Sequence, residues 1–354
     1  MKFSTASAII ARNVKIWTYK AFRQTHRLKP YKVLVSLTNQ CNSRCEYCDI
    51  WKINPENPSL YADELRLEDL ERMFADLKGN LIWLALSGGE ITLVKYFKEM
   101  IVAAQRHCPN LRLVSFTTNA LAPARAQEYA EFIRDQGLDV FVTISLDGDE
   151  EFHDRVRGIK GNFAKCVRLY GALNDAGIPV HYGITVADEN YQFIRDHYAV
   201  QNDDIKSVTF VHSGGIYEKE NPVDYDRIRQ GLRHIYDNYK IDHLSEILEK
   251  IHIKISMLFL DEPFSKNIIP CEVMNTSAHI MPHGEVQPCM FMPKIGNIKS
   301  DHLADIYSSP EAHRVREEIR RDQCPKCWMN CYSPFSMMQH PLKSLTALVK
   351  RAGS

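Results

Sequence analysis

The sequence predicts an α/β fold, a partial (β/α)6 barrel with a small cysteine-rich domain at its C-terminal end. Three observations predict it. Between residues 31 and 211, six short runs rich in Val, Ile, Leu and Phe alternate with helical stretches. Strands buried on both faces read this way, and such alternation builds a parallel sheet with right-handed crossovers. A cysteine triplet lies just past the first run, at the strand end where such sheets carry their chemistry. Five more cysteines gather beyond residue 262. The chain divides into a basic amphipathic N-terminal helix (1–30), a barrel core (31–240), and a linker helix with the cysteine-rich domain (241–354).

Residues 1–32 contain no Asp or Glu but carry Lys2, Arg12, Lys15, Lys20, Arg23, Arg27, Lys29 and Lys32. Ile10, Val14, Trp17 and Ala21 recur at helical spacing, with Phe22 beside them, which makes a basic amphipathic helix. The strand runs follow at 33–37, 81–86, 111–117, 140–146, 180–186 and 207–211. Helical stretches fall near 67–77, 96–107, 124–136, 163–176 and 192–199. Gly137 and Gly177 follow two of these and read as C-terminal caps. Helices over 224–239 and 244–260 lead to the cysteine-rich domain.

Composition narrows the function. The chain of 354 residues has a formal net charge of zero, so it does not read as a nucleic-acid binder. No apolar run reaches the roughly 18 residues a membrane span needs, and the basic start has neither the continuous apolar stretch nor the small-residue cleavage site expected of a secretory signal. Ten cysteines at close spacing point to metal binding in a reducing compartment, hence the cytoplasm, rather than to a disulfide scaffold. Cys108 and Cys166 stand apart and read as buried thiols packing as small hydrophobes.

Cys41, Cys45 and Cys48 are spaced C-x3-C-x2-C. Three thiolates can hold three irons of a [4Fe–4S] cube, leaving the fourth open to a small molecule; a structural zinc site is the competing reading. The Ser87-Gly88-Gly89-Glu90 turn follows the second run. Its glycines allow close backbone approach and its carboxylate suits an ammonium group. Ser145-Leu146-Asp147-Gly148 ends the fourth run and leads to His153, Asp154 and Arg157, which also suit a structural salt bridge or cap.

The triplet, with Tyr47 just before its third cysteine, resembles the signature of the radical S-adenosylmethionine (SAM) superfamily. The resemblance implies a core barrel of the radical SAM type in which SAM chelates the open iron. An electron then splits its C–S bond, and the resulting 5′-deoxyadenosyl radical takes hydrogen from an unactivated C–H bond. It further implies that Gly88, Gly89 and Glu90 position SAM, with Ser145 helping to bind its ribose or carboxylate. In the C-terminal part, Cys271, Gly284 and Cys289 followed by Cys324-Pro325-Lys326-Cys327 resemble the twitch and SPASM extensions of that superfamily. That implies a β-hairpin near 281–289, with Gly284 supplying its turn, and an auxiliary [4Fe–4S] cluster on Cys271, Cys289, Cys324 and Cys327. Cys331 is left over, as a structural thiol, an alternative ligand, or a hydrogen-atom donor to a substrate radical.

The expected enzyme therefore modifies a peptide, a lipid or a sugar, and draws electrons from a donor such as flavodoxin or ferredoxin. The alternatives are a zinc- or iron–sulfur-stabilised binding or electron-transfer protein without SAM cleavage. The basic N-terminal helix and the acid-free tail with Lys343, Lys350 and Arg351 add a peripheral contact with the inner face of the membrane. The competing expectation is a helix packed on the barrel with its basic side in solvent.

Overall fold

The computed structural model describes residues 2–22, 24–201, 204–211, 223–241, 244–263 and 265–350, so Arg23 and Arg351 lie outside the described residues. Six strands, β1 (Lys32–Ser36), β2 (Trp83–Ser87), β3 (Leu113–Thr118), β4 (Asp139–Ser145), β5 (Val180–Val186) and β6 (Ile205–Phe210), pair in chain order and all in parallel. Each lies within two residues of its predicted run. Val33, Val35, Leu84, Val114, Val142, Ile184 and Val208 are buried, which is why these strands read as continuous apolar runs. The five helices predicted between them are present, and Gly137 and Gly177 sit in the left-handed region just past two of these helices. Three shorter helices, Ile50–Glu56, Pro58–Ala62 and Glu150–Arg157, were not anticipated.

The sheet continues past the barrel. Strand β7 (Ser277–Ile280) pairs in parallel with β1, and β8 (Glu285–Gln287) and β9 (Gly296–Asn297) add antiparallel, giving nine strands in the order β6-β5-β4-β3-β2-β1-β7-β8-β9. The expected hairpin is β7–β8, and Gly284 turns it with φ +86°.

Strands β6 and β1 do not pair, and a strap of residues 328–333 crosses between them. On the β6 side, Asn330 Nδ2 donates to Ser207 Oγ (3.0 Å), and Trp328 Nε1 donates to the carbonyl of His252 (3.1 Å). His252 itself meets the Val208 carbonyl through Nε2 and Ser333 through Nδ1. On the other side, Lys32 Nζ donates to the Cys331 carbonyl (2.9 Å), and Tyr332 hydrogen-bonds His279 on β7, which bonds Ser36 on β1.

The N-terminal helix (Phe3–Ala21) closes the end where the strands begin. Lys2 binds Asp139 and Gly137, and Arg12 reaches Gly79 and Asn80. Ile9 and Ile16 pack with Leu28, Tyr31, Ile82 and Phe335 in a separate buried cluster. The face used is not the stripe picked out by spacing: Ile10, Val14 and Trp17 point outward and are 61%, 47% and 41% exposed. Spacing picks out the outward stripe, whereas the neighbouring stripe through Ile9 and Ile16 is the one that packs on the barrel. Among the described residues, no helix is long and apolar enough to cross a membrane.

Candidate functional site

The loops leaving β1 to β4 and the inner faces of β3 to β6 enclose one cavity of about 300 Å³. Cys41, Cys45 and Cys48 line it together with Tyr47, Gly88, Gly89, Glu90 and Ser145, so every sequence-predicted residue of the core site meets there. Because β2 through β6 all contribute, the sheet curls around this space. Thr143, Thr185, Ser207 and Thr209 add small hydroxyl side chains, and Met329, Asn330 and Cys331 of the strap supply part of the wall.

Distant parts of the chain hold the cysteine loop in place. Buried Glu64 takes hydrogen bonds from Thr38 Oγ1 (2.6 Å), Asn39 N (2.7 Å) and Asn54 Nδ2 (2.9 Å). The end of helix Glu150–Arg157 docks on the loop, where Arg44 N and Ser43 Oγ both donate to the Arg157 carbonyl at 2.9 Å. Arg157 Nε donates to Asp147 at 2.7 Å, and its Nη1 lies 3.7 Å from Cys45 Sγ. Burial pulls the Arg157 pKa down, but the Asp147 carboxylate and the Cys45 sulfur outweigh it and hold the guanidinium charged. Asp154 instead caps the next helix through Gly161 N and Phe163 N, and His153 is buried between Asp147 N and Asn162. Both act structurally here.

The glycine pair serves first to press two loops together. A Cβ on Gly88 (φ +125°) would sit 2.6 Å from the Thr38 carbonyl oxygen, and one on Gly89 would sit 2.5 Å from the Gln40 carbonyl carbon. The contact is made by hydrogen bonds from Gly89 N to Thr38 O (2.6 Å) and from Glu90 N to Gln40 O (2.7 Å). Glu90 is buried and accepts from Thr92 N, Thr92 Oγ1, Thr118 Oγ1 and Asn119 N. Burial still raises its pKa despite those donors. Tyr47 is also anchored, its hydroxyl donating to Glu189 at 2.9 Å.

Reading by pattern missed three of these supports, Glu64, Asn119 and Glu189; it marked Arg157 for a salt bridge without naming Asp147 as the partner. Asn119 is the most informative, because its backbone N–H binds Glu90 while its Nδ2 reaches Asn42 Oδ1 (2.9 Å) and Cys41 Sγ (3.8 Å). The signal available was its place in Thr117-Thr118-Asn119 at a strand end.

A second cavity lies behind the first. Cys271, Cys289, Cys324 and Cys327 line it with Asn267, Met292 and Tyr332. Cys331 lines the first cavity and not the second, so the strap parts the spare thiol from the other four. All ten cysteines are unbridged. Burial pushes the thiols up, to about 11 for Cys41 and Cys289 and about 12 for Cys48 and Cys271, so metal binding at either cavity releases protons. Among the described residues, no three His, Cys, Asp or Glu side chains group as a single metal ion would ask. The thiols instead stand around two cavities, an arrangement that fits iron–sulfur clusters. Three donors at the first would leave one iron of a cube free, and four at the second would complete one.

Comparison with known proteins agrees with this division. Residues 35–199 match the radical SAM superfamily, and residues 271–332 match SPASM, an iron–sulfur cluster-binding domain. The antilisterial bacteriocin subtilosin biosynthesis protein AlbA of Bacillus subtilis (strain 168) is 26% identical over 315 residues, covering 84% of this chain and 65% of that protein. The sporulation killing factor maturation protein SkfB of the same strain is 26% identical over 302 residues, covering 83% and 69%. The chain thus spans about two thirds of the length of these relatives. The solved structure of native anSMEcpe with bound AdoMet and Cp18Cys peptide shares the fold, with a TM-score of 0.60, 18% identity, and coverage of 90% of this chain and 99% of that one. One matched region spans five strands of the barrel and its cysteine loop, the other spans the rear cavity, and the chain belongs to the radical SAM superfamily with a C-terminal SPASM domain.

Proposed function

We propose that the chain is a peptide-modifying radical SAM enzyme. Cys41, Cys45 and Cys48 would hold the catalytic cluster, with Tyr47, Gly88, Gly89, Glu90 and Ser145 framing SAM. Cys271, Cys289, Cys324 and Cys327 would hold an auxiliary cluster. When bound, the open-iron cluster and SAM supply one-electron C–S cleavage and hydrogen abstraction from a C–H bond. The chain's own residues fix the geometry: Glu64 and Arg157 hold the cysteine loop, and Gly88 and Gly89 seat the second loop against it. The observation that carries the reading is the meeting of the triplet, the Gly-Gly-Glu turn and the strand-end hydroxyls on one cavity.

A peptide is favoured over a lipid or sugar by two facts. AlbA and SkfB are named for bacteriocin biosynthesis and killing-factor maturation, and the anSMEcpe structure holds a peptide. Among the described residues, the most exposed large apolar side chains, Phe3, Phe22, Leu342 and Val349, lie on or next to helices at the closed end of the barrel rather than at the cavity mouth a lipid would enter. Cys331 is the one ionisable side chain that the strap presents to the cavity, and we assign it as hydrogen-atom donor to the substrate radical. A flavodoxin- or ferredoxin-type donor would supply electrons.

Anaerobic reconstitution tests the proposal. The wild type should bind iron and sulfide at both cavities and form 5′-deoxyadenosine from SAM under dithionite, and Cys45→Ala should form none. A colourless zinc protein, or clusters without deoxyadenosine, would overturn it.

A further inference from the structure

The outward side of the N-terminal helix carries apolar side chains that the fold does not use. Ile9, Asn13 and Ile16 face the barrel, while Phe3, Ile10, Val14 and Trp17 make a second stripe and Phe22 is 72% exposed. The C-terminal helix (Pro341–Val349) repeats the arrangement: Ser344 and Ala347 are buried, and Leu342, Leu345 and Val349 are 78%, 56% and 83% exposed. The two helices come together where Trp17 Nε1 donates to the Gln339 carbonyl (3.1 Å), just before the second begins.

The two end segments that carry the patch hold charge of one sign. Two carboxylates that meet them are already paired, Asp139 with Lys2, and Glu272 with both Lys20 and His340. Lys15, Lys29, Lys343 and Lys350 form no ion pair among the described residues, and residues 1–32 and those after 323 contain no acid. Trp and Phe beside Lys on an in-plane helix is the composition that settles at a lipid headgroup boundary. A second copy of the chain is a poor occupant, because a two-fold contact would set these lysines against themselves.

We propose that this face rests on an anionic lipid bilayer, with the N-terminal helix, about 28 Å long, lying in the surface plane. The strands begin at that end and the cavity opens at the other, so the bilayer leaves the mouth free. This contact is independent of the chemistry in the cavity.

Vesicle flotation tests it. Deleting the helix would uncover Tyr31 and Phe335, so exposed positions are substituted instead: Ile10→Glu with Leu345→Glu in one protein, and Lys15→Glu, Lys343→Glu and Lys350→Glu in another. The wild type should float with phosphatidylcholine–phosphatidylglycerol vesicles and not with phosphatidylcholine alone. Each variant, with unchanged circular dichroism, should lose more than about tenfold of the bound fraction. If one variant misfolds, the other decides. The proposal is overturned if the wild type fails to float with anionic vesicles, or if a folded variant floats equally well. It is also overturned if light scattering shows a wild-type dimer that Ile10→Glu with Leu345→Glu splits, which would give the face to a second copy.

Discussion

Gly89→Ala isolates the contact between the two loops that frame the cavity. The new Cβ would lie 2.5 Å from the Gln40 carbonyl carbon and closer still to its oxygen, where ordinary contact begins at 3.4 Å. One loop must therefore retreat by about 1 Å against backbone, which has no rotamer with which to yield. That shift stretches the Gly89–Thr38 and Glu90–Gln40 hydrogen bonds, now 2.6 and 2.7 Å, past useful length. Two lost bonds and a strained turn cost about 2–4 kcal/mol. A displacement of this size in a reacting geometry costs on the order of a hundredfold in rate. Gly137→Ala is the control. It sits at φ +81° with nothing within 4 Å of the added methyl, so it bears only backbone strain of about 1–2 kcal/mol. Iron bound per chain and the initial rate of deoxyadenosine formation, measured anaerobically on both variants, separate the effects. Gly89→Ala should lose both and Gly137→Ala neither. A Gly89→Ala protein with full iron and a wild-type rate would refute the reasoning.

Three further outcomes are expected. Cys324→Ala should keep at least part of the SAM cleavage while ending product formation, and Cys331→Ala should keep deoxyadenosine formation but lose solvent deuterium in the product; mass spectrometry of a turned-over peptide reads both. His279 is buried between Ser36 and Tyr332, and burial, then Lys32, pulls its pKa from 6.5 to about 4. Below about pH 6.5 the unfolded chain binds this proton and the folded chain does not, so stability falls on acidification through that window. The loss is about 2 kcal/mol by pH 5. His279→Gln should flatten the dependence in urea titrations at pH 7 and pH 5, and an unchanged slope would discard the assignment.

The strands and the cysteine positions were legible because each is a local pattern, a buried apolar run or a short ligand spacing. What holds them together was not. Lys32 meets the Cys331 carbonyl across 299 positions and Asn119 meets Asn42 across 77, and no periodicity encodes such pairs. The N-terminal helix shows a different limit. Ile9 and Ile10 are adjacent, so spacing revealed that the helix is apolar but not which of two faces the barrel takes. The glycine pair was picked out correctly by type, yet its nearest constraint proved to be the neighbouring loop.

The strap gives the two cavities a shared fate. The residues that follow Cys324 and Cys327 are the ones that bolt β6 to β1 and β7, so oxidative loss of the rear thiols would loosen the front wall as well. Air exposure should therefore silence this protein as a unit, with damage far from the reacting carbon admitting water to it.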